Sequence, residues 1–272
     1  MKFLNSNKIL LMGVLNVTPD SFSDGGRFFD KDTAAAHAIK MAGEGADIID
    51  VGGESTRPGS KGVSAEEEIR RVIPVIEKLA GKINCEISID TRKSKVAQAA
   101  LEAGASIIND ISGLRHDKDM AKVAAKYQAG IILMHMKGDP ENMQVSPGYS
   151  DLIGEIKEAL RFSAYEAFKA GVDKESVAID PGIGFGKTVE HNLEILKRLD
   201  EFKDLGLPIC IGTSRKSFLG KMLDRPSSDD RLAGTIATCV AAVIKGARIL
   251  RVHDVKAVKD ALTVTERILA AG

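Results

Sequence analysis

Apolar residues in this chain gather in short, dense runs instead of alternating with polar ones. The runs are Ile9–Leu15, Asp47–Val51, Glu86–Ile89, Ser106–Ile108, Ile131–Met134, Val177–Ile179, Pro208–Ile211 and Arg248–Val252. Runs this short, often β-branched, predict strands buried on both faces, the habit of a parallel sheet covered by helices. Each run gives way to a polar or glycine-rich turn, and each turn to a stretch with helical spacing. Those stretches are Thr33–Gly43, the segment opened by Ser64, Lys93–Ala103, Lys118–Tyr127, Asp151–Ala170, Val189–Leu199, Asp230–Lys245 and Val255–Leu269. Thr33 or Asp32 is placed to cap the first. Ser64 and Glu67 have the spacing of a capping box, and Gly104 and Gly171 stand where a left-handed residue closes a helix. Eight strands alternating with eight helices exceed what most open doubly wound sheets need. They predict an α/β fold of one domain over residues 1–272, a (β/α)8 barrel of parallel strands ringed by helices, with the first eight residues capping its floor.

Composition agrees and narrows the function. The chain has 272 residues, close to the ~250 of a typical single barrel. Lys+Arg and Asp+Glu balance at 38 each, so no global field favours nucleic acid or an anionic membrane, and any anion site must be local. The three cysteines, Cys85, Cys210 and Cys239, are odd in number and far apart. They argue against disulfides and zinc, and they fit a reducing, cytoplasmic setting. The apolar stretch after Lys2 and Lys8 resembles a short signal segment, but Asn16 and Asp20 follow where a small-residue cleavage site would stand. No apolar run approaches the ~20 residues of a membrane span.

The ends of the strands carry the chemistry. They read Asn16 with Asp20 and Asp24 beyond it, Asp50 to Arg57, Asp90-Thr91-Arg92, Asn109-Asp110, His135, Asp180-Pro-Gly-Ile-Gly-Phe185, Gly212 to Ser217, and Arg251-Val-His253-Asp254. In a barrel these ends converge on one face, where active sites lie. One such acid or amide is often only a helix cap. Acids, amides and bases at all eight ends are poorly explained by capping alone.

Asp90, Asn109 and Asp180 offer carboxylates and an amide suited to a flat, N–H-rich heterocycle, guanine-like or pterin-like. A metal is the competing use of two aspartates, ranked lower because no tight acidic or histidine cluster accompanies them. Met134 and Phe185 could pack on such a ring, although core packing is the commoner role of both types. Arg251 and His253, two apart on one strand, face the same way and join Lys216 in a cationic pocket suited to phosphate. Asn16 could ligate a Mg²⁺ held mostly by diphosphate and water; an Asx turn carries equal weight there. The long loops after strands one and two read as lids. Gly182 to Thr188 imitates a phosphate-binding loop but has Pro181 where the first glycine is required. His37, His116 and His191 take surface or helix-end roles.

Seven ordered blocks then resemble one family. They are Met12–Gly26, Asp47–Gly59, Ser88-Ile-Asp90-Thr, Ile108-Asn109-Asp-Ile-Ser-Gly, Asp180–Phe185, Gly212–Ser217 and Arg251–Asp254, and they look like the signatures of the dihydropteroate synthases. The resemblance spans residues 8–268. It implies a folate-biosynthesis transferase that joins (7,8-dihydropterin-6-yl)methyl diphosphate to 4-aminobenzoate. It also implies a cytoplasmic homodimer, Mg²⁺, and sensitivity to sulfonamides. By the same resemblance Asp90, Asn109, Asp180 and Lys216 hold the pterin. Arg251, His253 and, through Mg²⁺, Asn16 hold the diphosphate. Thr56, Arg57, Pro58 and Ser217 border the aminobenzoate, with Gly212, Met134 and Phe185 lining the pocket. Asp180, Asp90 and Lys216 are the expected catalytic set, acting in a dissociative displacement at the pterin methylene. The nearest alternative is a pterin-binding barrel that moves a methyl group from methyltetrahydrofolate, which would need neither the Arg-Val-His pair nor Thr-Arg-Pro-Gly. A pterin-binding protein without activity is the third reading, disfavoured by the full set of site residues.

Overall fold

The structure is a computed structural model that describes residues 8–18, 31–56, 59–145 and 147–271. The strands are β1 (Leu10–Asn16), β2 (Ile48–Gly52), β3 (Glu86–Asp90), β4 (Ile107–Asp110), β5 (Gly130–Met134), β6 (Val177–Asp180), β7 (Ile209–Ile211) and β8 (Ala247–Val252). They close into a barrel in sequence order, each parallel to the next and β8 parallel to β1. The helices are α1 (Lys31–Gly43), α2 (Ala65–Leu79), α3 (Ser94–Glu102), α4 (Met120–Lys126), α5 (Leu152–Lys169), α6 (Val189–Lys197), α7 (Ser217–Leu223), α8 (Leu232–Ile244) and α9 (Val255–Leu269). All of the expected cap over the first eight residues except Lys8, and most of the loop after β1, lie outside the described residues.

Each strand is apolar on both faces because it has two cores to fill. Leu11, Leu15, Ile49, Val51, Ile87, Ile89, Ile108, Ile131, Leu133, Val177, Ile179, Leu250 and Val252 face the helices and form one large cluster with them. Their neighbours Leu10, Met12, Ile48, Ile107, Ile132, Ala178, Cys210 and Ile249 form a separate, fully buried plug inside the barrel. Side chains two apart on a strand share a face. The position two residues beyond the plug is therefore inward and one layer nearer the carboxyl end. On β2, β4, β5, β6, β7 and β8 that position is Asp50, Asn109, Met134, Asp180, Gly212 and Arg251. On β3, Asp90 stands two beyond inward Ser88. Strand pleating thus converts an apolar plug into a polar floor within one step.

Local capping explains several helix ends. Ser64 accepts from the Glu67 N–H, but the Glu67 carboxylate turns to Arg70 and Arg71, so the expected box is half formed. The complete box belongs to Thr188 and His191, at the helix end where His191 was expected. Asp151 caps α5, and Gly104 and Gly171 hold the left-handed positions after α3 and α5. α1 begins at Lys31, so Asp32 and Thr33 are inside it and do not cap it. α7 has no counterpart among the expected helices: its seven residues begin at Ser217, directly on the polar Gly212–Ser217 turn.

Candidate active site

Asp90 and Asn109 are register partners on adjacent strands, and Asp180 stands opposite Met134 on the next pair round. All three are buried. The Asp180 Oδ1 accepts the Gly182 N–H at 2.7 Å, and its carboxyl also borders the buried Cys210 thiol. The Asp90 Oδ1 is buried with no partner among the described residues. Burial raises the carboxyls of both Asp90 and Asp180, while Arg251 draws Asp90 back and the Gly182 N–H and Lys216 draw Asp180 back. Buried acceptors without donors are costly, and a ring rich in N–H groups would satisfy them.

Arg251 is placed differently from its expected role. Its Nε donates to Asp50 Oδ2 and its Nη2 to Asp90 Oδ2, both at 2.6 Å. Its guanidinium therefore lies across the ring sector and joins it to the anion side. Asp50, fully buried, also accepts from Asn109 Nδ2 at 3.0 Å. Asp50 was read only as a strand end. Its signal was available, because it occupies the same inward step as Asn109 and Asp180.

His253 is not cationic as the sequence suggested. Burial, reinforced by Arg251 and Arg215, pulls its pKa down to about 3. The Ser214 hydroxyl lies 3.0 Å from Nδ1 and accepts the His253 backbone N–H at 3.1 Å. With the hydroxyl hydrogen turned to Nδ1, the imidazole keeps its proton on Nε2, as a neutral donor. Lys216 is partly exposed, yet burial and Arg251 lower it from 10.5 to about 8. Its ammonium sits 4.1 Å from the Phe185 ring centroid, a cation–π contact. Arg215 staples the two loops that carry these groups. It makes a two-pronged ion pair with Asp254 at 3.0 and 2.6 Å while held at φ 59°, a left-handed conformation uncommon for a non-glycine residue.

Met134 and Phe185 pack with Ile111, Met136 and Met143 in a small buried cluster, an apolar wall beside the acids. The loop that carries Phe185 needs its glycines. A Cβ at Gly182 would lie 1.8 Å from the His135 carbonyl oxygen, and one at Gly186 2.4 Å from that of Lys137. Hence this stretch imitates a phosphate loop in composition only; its glycines serve close backbone packing. Lys187, also buried, sits 3.0 Å from His135 Nδ1 and donates to the Phe185 carbonyl at 3.0 Å. His135 is thus engaged behind the pocket.

Gly212 and Ser217 lie at the mouth, Ser217 exposed as the first residue of α7. Arg57 and Pro58 lie outside the described residues. Thr56 stands at the base of the second loop, which is anchored. Glu54 takes Arg92 Nη2 at 2.8 Å, Lys93 Nζ at 2.6 Å and the Val63 N–H at 2.9 Å. Burial alone would raise its carboxyl, but these donors bring it below the usual range. Lys93 also reaches buried Glu68 at 2.6 Å, and the Gly59 N–H donates to the Pro140 carbonyl. This buried network escaped the sequence because its members come from separate turns and α2.

Asn16 ends β1, half-buried, and its backbone partner is Gly52. Among the described residues no three His, Cys, Asp or Glu gather into a metal-binding group. One neutral amide oxygen fits a divalent ion that arrives with its own phosphate and water ligands, not a resident one. No helix among the described residues is long and apolar enough to cross a membrane.

Comparison with known proteins adds the family. Residues 12–253 match the family described as pterin binding enzyme. A dihydropteroate synthase of Synechocystis sp. is 48% identical over 258 residues, covering 95% of this chain and 89% of that protein. The structure resembles Xanthomonas albilineans dihydropteroate synthase solved with 4-aminobenzoic acid, at a TM-score of 0.92 and 43% identity, covering 98% of this chain and 95% of that one. The same organism's enzyme in complex with 7,8-dihydropteroate gives a TM-score of 0.89 at 41% identity, over 98% and 95% of the two chains.

Proposed function

The chain belongs to the dihydropteroate synthase family of pterin-binding enzymes, and from that premise we propose how its barrel mouth works. It is a transferase that condenses (7,8-dihydropterin-6-yl)methyl diphosphate with 4-aminobenzoate to give 7,8-dihydropteroate and diphosphate. The observation that carries the mechanism is the pair of buried aspartates, Asp90 and Asp180, the first with a carboxylate oxygen that has no partner among the described residues.

In our reading the methylene carbon–oxygen bond breaks first, and its electron pair leaves with the diphosphate. Positive charge spreads from the methylene into the pterin. Burial disfavours the ionised form of both aspartates, and a cationic ring between them reverses that penalty. The attraction is therefore stronger in the transition state than in the ground state, the condition for acceleration. Lys216 donates to the ring's acceptor edge, and the His253 Nε2–H and the outer face of Arg251 meet the departing oxygens. The aniline nitrogen of aminobenzoate then attacks the cation and gives up one proton to the released diphosphate or to water. No protein nucleophile is needed. Thr56 and Ser217 border the aminobenzoate, where the family resemblance also assigns Arg57 and Pro58, and Met134 and Phe185 wall the ring.

Asn16 would hold Mg²⁺, which when bound supplies charge neutralisation on the diphosphate. Asn16→Ala is expected to raise the Mg²⁺ concentration needed for inorganic diphosphate binding by about tenfold or more, read by calorimetry. An unchanged Mg²⁺ requirement would remove Asn16 from this role. Incubating the chain with both substrates and Mg²⁺ should yield dihydropteroate. A methyl-transferring barrel or an inactive binder would yield none.

We assign the chain to a homodimer that buries α8 and α9. Leu232, Ile244, Val264, Ile268 and Leu269 on these adjacent helices are exposed, and exposed apolar side chains on two neighbouring helices suit a subunit contact. Val264→Glu with Ile268→Glu should shift sedimentation from dimer to monomer; an unmoved sedimentation coefficient would place the contact elsewhere. Three free thiols, Cys85, Cys210 and Cys239, fit a cytoplasmic setting.

A further inference from the structure

The ring sector has a fourth polar member, Asp50, which pairs in register with Ser88 and so stands two residues below Asp90. Asp50 is fully buried at the inward step of β2, beneath the acids and the amide that would read the substrate. Its Oδ2 takes two donors, Asn109 Nδ2 at 3.0 Å and Arg251 Nε at 2.6 Å. Its Oδ1 is buried with no partner among the described residues.

Asn109 is an amide, so its strand position does not determine which end faces the pocket. Oxygen and nitrogen have nearly the same size, and a rotation of half a turn exchanges an acceptor for a donor. A neighbour that only accepts removes that choice, and an ionised carboxylate only accepts. Asp50 therefore turns the amide nitrogen of Asn109 to itself. That leaves the amide oxygen and one remaining N–H in fixed places for the ring. The same Asp50 oxygen holds Arg251 by Nε, so that Nη2 falls on Asp90 Oδ2 and Asp90 Oδ1 stays free. One carboxylate thus sets the donor and acceptor order of two residues that face the substrate.

We propose that Asp50 is the positioning residue that sets the hydrogen-bond pattern by which this barrel recognises its pterin ring. It acts through Asn109 and Arg251 and touches neither the ring nor the reacting atoms. This inference rests on the pterin-binding reading above. Its logic is that of sites built to pair with polar groups: an inverted partner leaves two donors or two acceptors face to face, which costs far more than a lost contact.

The test is a double-mutant cycle on the affinity for 6-hydroxymethyl-7,8-dihydropterin, a ring without the diphosphate, read by calorimetry. Asp50→Ala and Asn109→Ala should each weaken binding about tenfold or more. The double variant should bind clearly more tightly than the product of the two single losses predicts, because the part of the Asp50 effect that runs through Asn109 is lost only once while the part through Arg251 remains. Asp50→Asn should recover most of the affinity, since its amide oxygen can still accept from Asn109. Additive losses would overturn the proposal, and so would a wild-type affinity in Asp50→Ala. A lowered thermal midpoint with unchanged ring affinity would also overturn it, by making Asp50 a merely structural residue. If Asp50→Ala does not fold, Asp50→Ser carries the same cycle with the same expected non-additivity. A wild-type chain that binds no dihydropterin would instead sink the pterin reading, and the proposal with it.

Discussion

Replacing Asp180 by alanine is expected to lower kcat by about two to three orders of magnitude while the barrel stays folded. The size follows from its position. Asp180 is buried, so its charge acts on a developing cation with little solvent screening. Its Oδ1 also holds the Gly182 N–H, at the start of the loop that carries Phe185. Alanine removes both functions. Asp180→Asn separates them, because an amide oxygen can still accept from Gly182 but carries no charge. The account requires Asp180→Asn to lose nearly as much kcat as Asp180→Ala, with a smaller loss in ring affinity. Single-turnover rates with saturating substrates would decide this. A nearly active Asp180→Asn would mean that the residue orients the loop and contributes little charge stabilisation.

Arg251→Ala should fail in a different way. In the free protein the guanidinium is the counter-ion of Asp50 and Asp90. Its removal leaves two buried carboxylates facing one another, and breaking a buried pair by one partner costs about 3–5 kcal/mol. The cost must depend on pH. Burial already raises the Asp90 carboxyl, and Arg251 is the largest influence drawing it back. Without Arg251 the folded-state pKa rises further above the unfolded value. A carboxyl raised by folding adds stability below its unfolded pKa and loses it as pH climbs through the folded one. The variant should therefore be most impaired at neutral and alkaline pH, and should recover part of its stability in acid. Denaturant titrations at pH 5 and pH 8 would show it; an equal loss at both would exclude the two carboxylates as the cause. Diphosphate affinity should fall as well, since the same guanidinium borders the anion side.

Much of this is legible in the sequence. The inward step after each apolar plug residue is a matter of strand pleating, so Asn109, Asp180 and Arg251 could be placed on one face from spacing alone. The ring sector and the polarity of each strand end followed from that. Other features depend on distances that a sequence does not carry. Whether Arg251 faces diphosphate or turns inward to Asp50 depends on the width of the barrel at that layer. His253 reads as a cation by type, but depth of burial and the nearby Arg251 and Arg215 make it neutral. Glu54, Glu68, Arg92 and Lys93 meet only because α2 and the β3 turn pack side by side. α7 follows directly on the Gly212–Ser217 turn and has no pattern separate from it, and Arg215 takes a left-handed conformation while pairing with Asp229 and Asp254.

The central claim is that the methylene carbon ionises between Asp90 and Asp180 before aminobenzoate attacks. Positional isotope exchange tests it most directly. The substrate would carry heavy oxygen in the bridge between the methylene and the diphosphate, and would be incubated with the wild-type chain and Mg²⁺ without aminobenzoate. Ionisation and return predict that the label spreads from the bridge into the non-bridging oxygens of the adjacent phosphoryl group. Asp180→Asn should slow that spread in step with its loss of kcat. A label that stays in the bridge over many turnover times would contradict the account, and would require aminobenzoate to take part in breaking the bond.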